Sequence, residues 1–227
     1  MFNGITTLLL DMNSTFMFGE DRFEGGTDYS EYYKQIGGNL PGSIINNKIN
    51  NILEYLGERY PQEKYRHDFP TVRNAIDATS TQTLPNEEIG KIIRTFSFYE
   101  HGHIPEEYIV ALNKLQKTYR LAAVIDIWAP KDMWLETFNQ LGIDKLFSAV
   151  SFSSDHGIVK PSPKPFEMVM KKMNVLPKEC IVIGDSVRRD LGGAIAANID
   201  CILVNSATDD KALASFKNLI EVSKVAC

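Results

Sequence analysis

Short apolar runs set the rhythm of this chain. Ile5-Thr6-Thr7-Leu8-Leu9-Leu10 stops abruptly at a polar cluster, Asp11-Met12-Asn13-Ser14-Thr15. Comparable runs recur at Leu121 to Ile125, Ala149 to Phe152, Cys180 to Ile183 and Cys201 to Val204. Runs this short and this continuously apolar predict strands buried on both faces, as in a parallel sheet. Between them the apolar positions fall at helical spacing. Glu106 to Lys117 carries Tyr108, Ala111, Leu112 and Leu115 on one face, and Lys131 to Leu141 carries Met133, Trp134, Phe138 and Leu141. Phe166 to Met173 and Leu191 to Ala197 continue the alternation, and Lys211 to Val222 reads as a closing amphipathic helix. Strands alternating with helices through short connections predict right-handed crossovers and a doubly wound α/β sheet.

Residues 16–103 break this rhythm. Helical patterns occur at Tyr29 to Ile36, Ile44 to Tyr55, Thr71 to Ala78 and Glu87 to Phe98, with no strand-like run among them. Gly37-Gly38, Pro41-Gly42, Tyr60-Pro61, Phe69-Pro70 and Leu84-Pro85 divide them as turns. The expected organisation is an α/β core of residues 1–15 and 104–227, with a helical insertion, 16–103, after the first strand. Gly19 is a hinge candidate. Tyr29, Tyr32 and Tyr33 read as the insertion's own core.

Open α/β sheets bind ligands at the carboxyl ends of their strands, and the polar motifs of this chain cluster there. Asp11 and Asn13 follow the first strand and Asp126 the second; Lys160 lies a few residues beyond the third; Gly184-Asp185 and Asp190 follow the fourth. Singly, each has an ordinary reading. Asp190 could charge the start of the following helix, Asp11 could be turn chemistry, and a lysine in a polar loop is usually solvated. Carboxylates and one lysine converging on a single sheet edge form a candidate site.

Three segments, in order, resemble the motifs of the haloacid dehalogenase superfamily: Asp11-x-x-x-Thr15 after an apolar strand, Lys160-Pro161-x-Pro163-x-Pro165-Phe166, and Gly184-Asp185-Ser186-x-x-x-Asp190. The resemblance implies a Rossmann-like core with a helical C1-type cap where the insertion lies. It implies that Asp11 is a nucleophile forming a covalent aspartyl intermediate. It also implies Mg²⁺ held by Asp11, the backbone carbonyl of Asn13 and Asp185, with Asp190 in support, an oxygen-rich shell suited to a hard cation. Lys160 would neutralise Asp11 and the transferring group, and Thr15 would orient the loop. Caps of this kind often select the substrate and exclude water; Arg22, near the insertion's start, is a candidate anion contact.

Two departures stand out. Phosphatases of this superfamily carry a second aspartate two residues after the nucleophile, which protonates the leaving oxygen and then activates water. Asn13 occupies that place and can do neither near neutral pH. Such acid–base help is worth about 10²–10⁴-fold. In the second motif, Ile125-Asp126 stands where a hydroxyl residue and an asparagine are usual. The expectations that follow are a Mg²⁺-dependent hydrolase of a small phosphorylated molecule, slowed by Asn13 or served by Asp126 as a substitute acid. The alternatives are a dehalogenase-like carbon–halogen hydrolase and a non-catalytic binding or regulatory protein.

Composition adds exclusions. At 227 residues the chain can bury a core plus one insertion. A net charge of −5 disfavours a nucleic-acid partner. No apolar run approaches the roughly 20 residues that span a bilayer, and no basic segment precedes the first apolar run. The three cysteines lack metal-ligand spacing; Cys180 and Cys201, each opening an apolar run, read as small buried hydrophobes in a reducing compartment. A cytoplasmic location is expected, and the residues leave oligomeric state open.

Overall fold

A computed structural model describes residues 1–80 and 83–227. Its centre is a six-stranded parallel sheet in the order β3-β2-β1-β4-β5-β6. The strands are β1 (Thr7–Leu10), β2 (Arg120–Ile125), β3 (Phe147–Phe152), β4 (Cys180–Gly184), β5 (Asp200–Leu203) and β6 (Ala214–Ser215). Their side chains alternate between two cores, which is why they read as unbroken apolar runs. Leu8, Leu10, Ala123, Ile181, Ile183 and Ile202 face one layer. Leu9, Ala122, Val124, Val182 and Leu203 face the other, together with Phe166, Val169, Met170 and Met173.

Between β1 and the first core helix lie α1 (Ser30–Gln35), α2 (Gly42–Arg59), α3 (Val72–Thr79) and α4 (Asn86–Glu100). Ile45, Ile49, Ile52 and Leu56 make a fully buried stripe along α2, each worth about 1.5–3 kcal/mol of transfer free energy. Tyr29 and Tyr33 are buried beside it, and Tyr32 stacks on Phe98 at 3.8 Å. The two chain crossings into and out of this helical layer run side by side, with Phe18 and His103 exchanging backbone hydrogen bonds of 2.8 Å each.

The remaining helices are α5 (Glu106–Gln116), α6 (Asp132–Gln140), α7 (Ser153–His156), α8 (Lys164–Met173), α9 (Gly192–Ala196) and α10 (Leu219–Ala226). The helix expected over Lys211 to Val222 is corrected in its first half. Leu213 N–H donates to Cys201 and Phe216 N–H to Leu203, drawing the chain between them onto the sheet edge as β6. The helix then starts at Leu219 because the Asn218 side chain accepts from Glu221 N–H. Ahead of α9, Val187–Leu191 forms one π-helical turn. Among the described residues, no helix is long and apolar enough to cross a membrane.

Register fixes the site. Leu10 pairs with Ala123 on one side and Ile183 on the other. Asp11 therefore leaves the sheet level with Val124 and Gly184, and β2 and β4 end at the same edge, at Ile125 and Gly184.

Candidate active site

Asp11 leaves β1 at that edge, its N–H bonded to Ile183 at 2.8 Å. Its carboxylate meets Lys160, whose Nζ donates to Asp11 Oδ1 at 2.5 Å, to Asp190 Oδ1 at 2.7 Å and to the Val124 carbonyl at 3.2 Å. Three donors have three acceptors, so the ammonium is fully used although Lys160 is only 3% exposed. Burial works against its charge, but Asp11 and Asp190 beside it more than offset that and raise its pKa. Asp190 is anchored again through Oδ2, which accepts from Ser186 N–H at 3.0 Å. It lies so close to Gly184 that a Cβ there would come 2.3 Å from Asp190 Cγ. Only glycine fits at 184. Thr15 Oγ1 donates to Asp11 Oδ2 at 3.4 Å.

Carboxylate oxygens of Asp11, Asp185 and Asp190 all lie within 4.8 Å of one another. Burial, with Asp190 alongside, pushes the Asp11 carboxyl up to about 7, and the Asp185 carboxyl is raised for the same reasons. Lys160 supplies one positive charge against three carboxylates. Asp185 Oδ1 is buried without a hydrogen-bond partner. This donor set fits a hard divalent cation.

A cavity of about 270 Å³ is walled by Asn13, Tyr60, Glu100, Asp126, Trp128 and Arg189, with Asp21, Phe23 and Leu53 completing it. Tyr60, just past α2, reaches the core edge. Its hydroxyl donates to Asp126 Oδ2 at 2.8 Å and accepts from Arg189 at 3.5 Å. Asp126 Oδ2 also accepts from the Lys160 N–H at 2.9 Å. A larger open groove of about 920 Å³ runs past Tyr55, Tyr65, Asn74 and His156 but touches none of Asp11, Lys160 or Asp185. The smaller cavity is not lined by those three either, but it takes in Asn13, two residues past Asp11, and Asp126, which accepts from the Lys160 N–H.

The sequence profile of the haloacid dehalogenase-like hydrolases matches residues 42–204. The chain belongs to that family. The pyrophosphatase PpaX of Bacillus cereus is 26% identical over 162 residues, covering 68% of this chain and 75% of PpaX. A phosphatase of the superfamily from Thermococcus onnurineus superposes with a TM-score of 0.65 at 19% identity, covering 97% of each chain. A 2-haloacid dehalogenase from Pseudomonas syringae gives 0.64 at 19%, again over 97% of each. At such identities the two structures speak to the fold alone.

Against this family frame, the side chains expected at the site divide. Asp11, Thr15, Lys160, Asp185 and Asp190 are brought together. Asn13 lines the cavity, its Oδ1 buried and unpartnered. Of the Ile125-Asp126 pair, Ile125 packs in the core and Asp126 faces the cavity. Asp126 is held by Tyr60 and Lys160. Arg22 is placed elsewhere: its guanidinium lies 4.6 Å over the Phe98 ring and donates to the Phe98 and His101 carbonyls. Those carbonyls close the C-terminus of α4, and Arg22 is not among the residues that line the cavity. The cation at the cavity is Arg189 instead.

Glu100 was not among the expected residues. It ends α4, is 4% exposed, and accepts from Trp128 N–H at 2.6 Å and Ala129 N–H at 2.8 Å. Burial pushes its carboxyl up to about 8, with Asp21 nearby adding to the shift. One signal could have found it: an acid in the last helical turn opposes the helix dipole, so its place there needs another cause.

Proposed function

We propose that this chain is a Mg²⁺-dependent phosphatase acting on a small phosphorylated metabolite through a covalent intermediate on Asp11. The observation that carries this reading is the gathering of Asp11, Asp185 and Asp190 around one point with Lys160 against the nucleophile. A carbon–halogen hydrolase expels a halide and needs no such carboxylate set, so the gathering favours phosphate. A cavity of about 270 Å³ suits a small leaving group.

In this reading Asp11 attacks phosphorus and carries the phosphoryl group until water releases it. Lys160 favours the ionised form of Asp11 against burial and Asp190, and neutralises charge as the phosphoryl group transfers. Asp11, Asp185 and the Asn13 carbonyl would hold the cation, with Asp190 supporting them. When bound, that ion supplies charge neutralisation for the phosphate oxygens. Asn13 can donate a hydrogen bond to the leaving oxygen but no proton. Helices α1–α4, residues 16–103 with their flanks, act as the cap that closes over the cavity.

The test is phosphate release from a panel of small phosphomonoesters, acyl phosphates and pyrophosphate. Release is expected with Mg²⁺, is lost in chelator, and is lost by at least about 10³-fold in Asp11→Asn. Release that survives both treatments overturns the proposal, as does a silent panel.

A further inference from the structure

The established family chemistry leaves one role unfilled, because Asn13 cannot move a proton. We propose that Glu100 is the general acid and base of this site, delivering a proton to the leaving oxygen from across the cavity that it shares with Asn13. This rests on the phosphatase reading above.

Three observations place it there. Glu100 lines the same small cavity as Asn13, two residues past Asp11, and Asp126, which is bonded to the Lys160 N–H. The Glu100 carboxyl is buried and fixed rather than free to swing, because both its oxygens receive backbone N–H groups of the turn after β2. That turn follows the strand end next to β1, so Glu100 is held at the edge where Asp11 emerges. The other ionisable groups around the cavity are Asp21, Tyr60, Asp126 and Arg189. Asp126 is the poorer acid: burial raises its carboxyl too, but the positive charges of Lys160 and Arg189, which do not act on Glu100, favour its ionised form, as do the Tyr60 and Lys160 N–H contacts. Asp21, with a solvent-exposed edge, is pushed up only to about 6, by partial burial and by Glu20. The Glu100 carboxyl, pushed up to about 8 by burial, retains its proton at neutral pH.

The step balances without another reagent. An Asp11 oxygen bonds to phosphorus as the bond from phosphorus to the leaving oxygen breaks, and that oxygen takes the Glu100 proton. The new Glu100 carboxylate meets the Trp128 and Ala129 N–H groups already aimed at it. It then takes a proton from water as the water oxygen attacks phosphorus, releasing Asp11 and phosphate and restoring the acid.

Leaving-group dependence tests the idea, because a good leaving group needs no proton. The probes are an alkyl phosphomonoester and 4-nitrophenyl phosphate, each with Mg²⁺ and the full chain. Glu100→Gln should lower kcat/KM for the alkyl ester by about 100-fold or more, with a loss on 4-nitrophenyl phosphate at least tenfold smaller. The wild-type alkyl-ester rate should fall above about pH 8, and this limb should vanish in Glu100→Gln. A purely structural Glu100, holding the 127–129 turn, would instead cost both substrates equally. Should Glu100→Gln fold poorly, the wild-type alkyl-ester pH profile decides: a fall above about pH 8 that 4-nitrophenyl phosphate does not share supports the proposal, and a profile common to both esters overturns it. Equal losses on both esters, or an unchanged alkyl-ester rate, also overturn it. If Asp11→Asn abolishes turnover while Glu100→Gln is unselective, only the role of Glu100 fails; if Asp11→Asn stays active, the phosphatase reading fails with it.

Discussion

At the scale of single residues, charge balance explains the centre of the site. Lys160 is the only cation bonded to Asp11 and Asp190 among the described residues, and its side chain is 2% exposed. Removing one partner from a buried ion cluster typically costs about 3–5 kcal/mol, because the charges left behind have neither water nor a counterion. Protonation of Asp11 would relieve part of that, so Lys160→Met is expected near the lower figure. For a chain of this length the melting temperature should fall by roughly 6–12 °C. Saturating Mg²⁺ should recover more of the loss in the variant than it adds to the wild type, since the cation takes over the neutralising role. Thermal melts of both proteins in chelator and in Mg²⁺ check this; identical Mg²⁺ responses would count against the cation site. The sequence disclosed this centre because each of its members follows a strand or closes a fixed-spacing motif, even though Lys160 and Asp11 are 149 positions apart. Glu100 escaped because its partners, 28 residues away, are backbone N–H groups that no residue type announces. Ser14 shows a smaller compromise. It takes a positive φ of 55° that glycine adopts more readily, and its hydroxyl bonds Glu20 Oε1 at 2.9 Å in partial compensation.

At the scale of elements, the contacts between α2 and the sheet edge decide how the helical layer sits over the site. Tyr60 bridges Asp126 and Arg189, and Arg188 on the π-helical turn donates to the Pro61 carbonyl at 2.7 Å. The turn before α9 thus grips the end of α2 at two points. Tyr60→Phe removes the bridging hydroxyl and leaves Asp126 Oδ2 with the Lys160 N–H. A lost hydrogen bond to a charged group costs about 1.5–3 kcal/mol. The variant should show faster amide exchange across residues 55–62 and a KM raised by roughly tenfold, with kcat changed less. Unchanged exchange would mean that the hydroxyl does not hold the layer closed. Periodicity disclosed α2 as far as Tyr55, but the helix continues to Arg59. The added turn is polar on most sides, and its reason is tertiary: it delivers Tyr60 to Asp126. The same cause explains β6, where two ladder hydrogen bonds to β5 outweigh an amphipathic pattern.

At the scale of the whole molecule, proton binding couples the site to folding. Glu100 holds its proton up to about pH 8 when folded but would release it near 4.5 in the unfolded chain. Between those values the folded state binds the extra proton, so the group's contribution to stability is fully present below about pH 4.5 and is lost as pH rises through 8. The slope from one such group is at most about 1.4 kcal/mol per pH unit. Other groups act in the same range. Asp21, raised to about 6, contributes in the same sense at lower pH, whereas His101, lowered to about 4 by burial and by Arg22, contributes in the opposite sense. These terms cancel when wild type and Glu100→Gln are compared at each pH, because both proteins carry them. Glu100→Gln is therefore expected to gain stability relative to wild type steadily from pH 5 to pH 8, in denaturant titrations run in chelator. A flat difference would mean that the Glu100 carboxylate is ionised in its pocket, stabilised by the Trp128 and Ala129 N–H groups, and that it serves the fold rather than the proton.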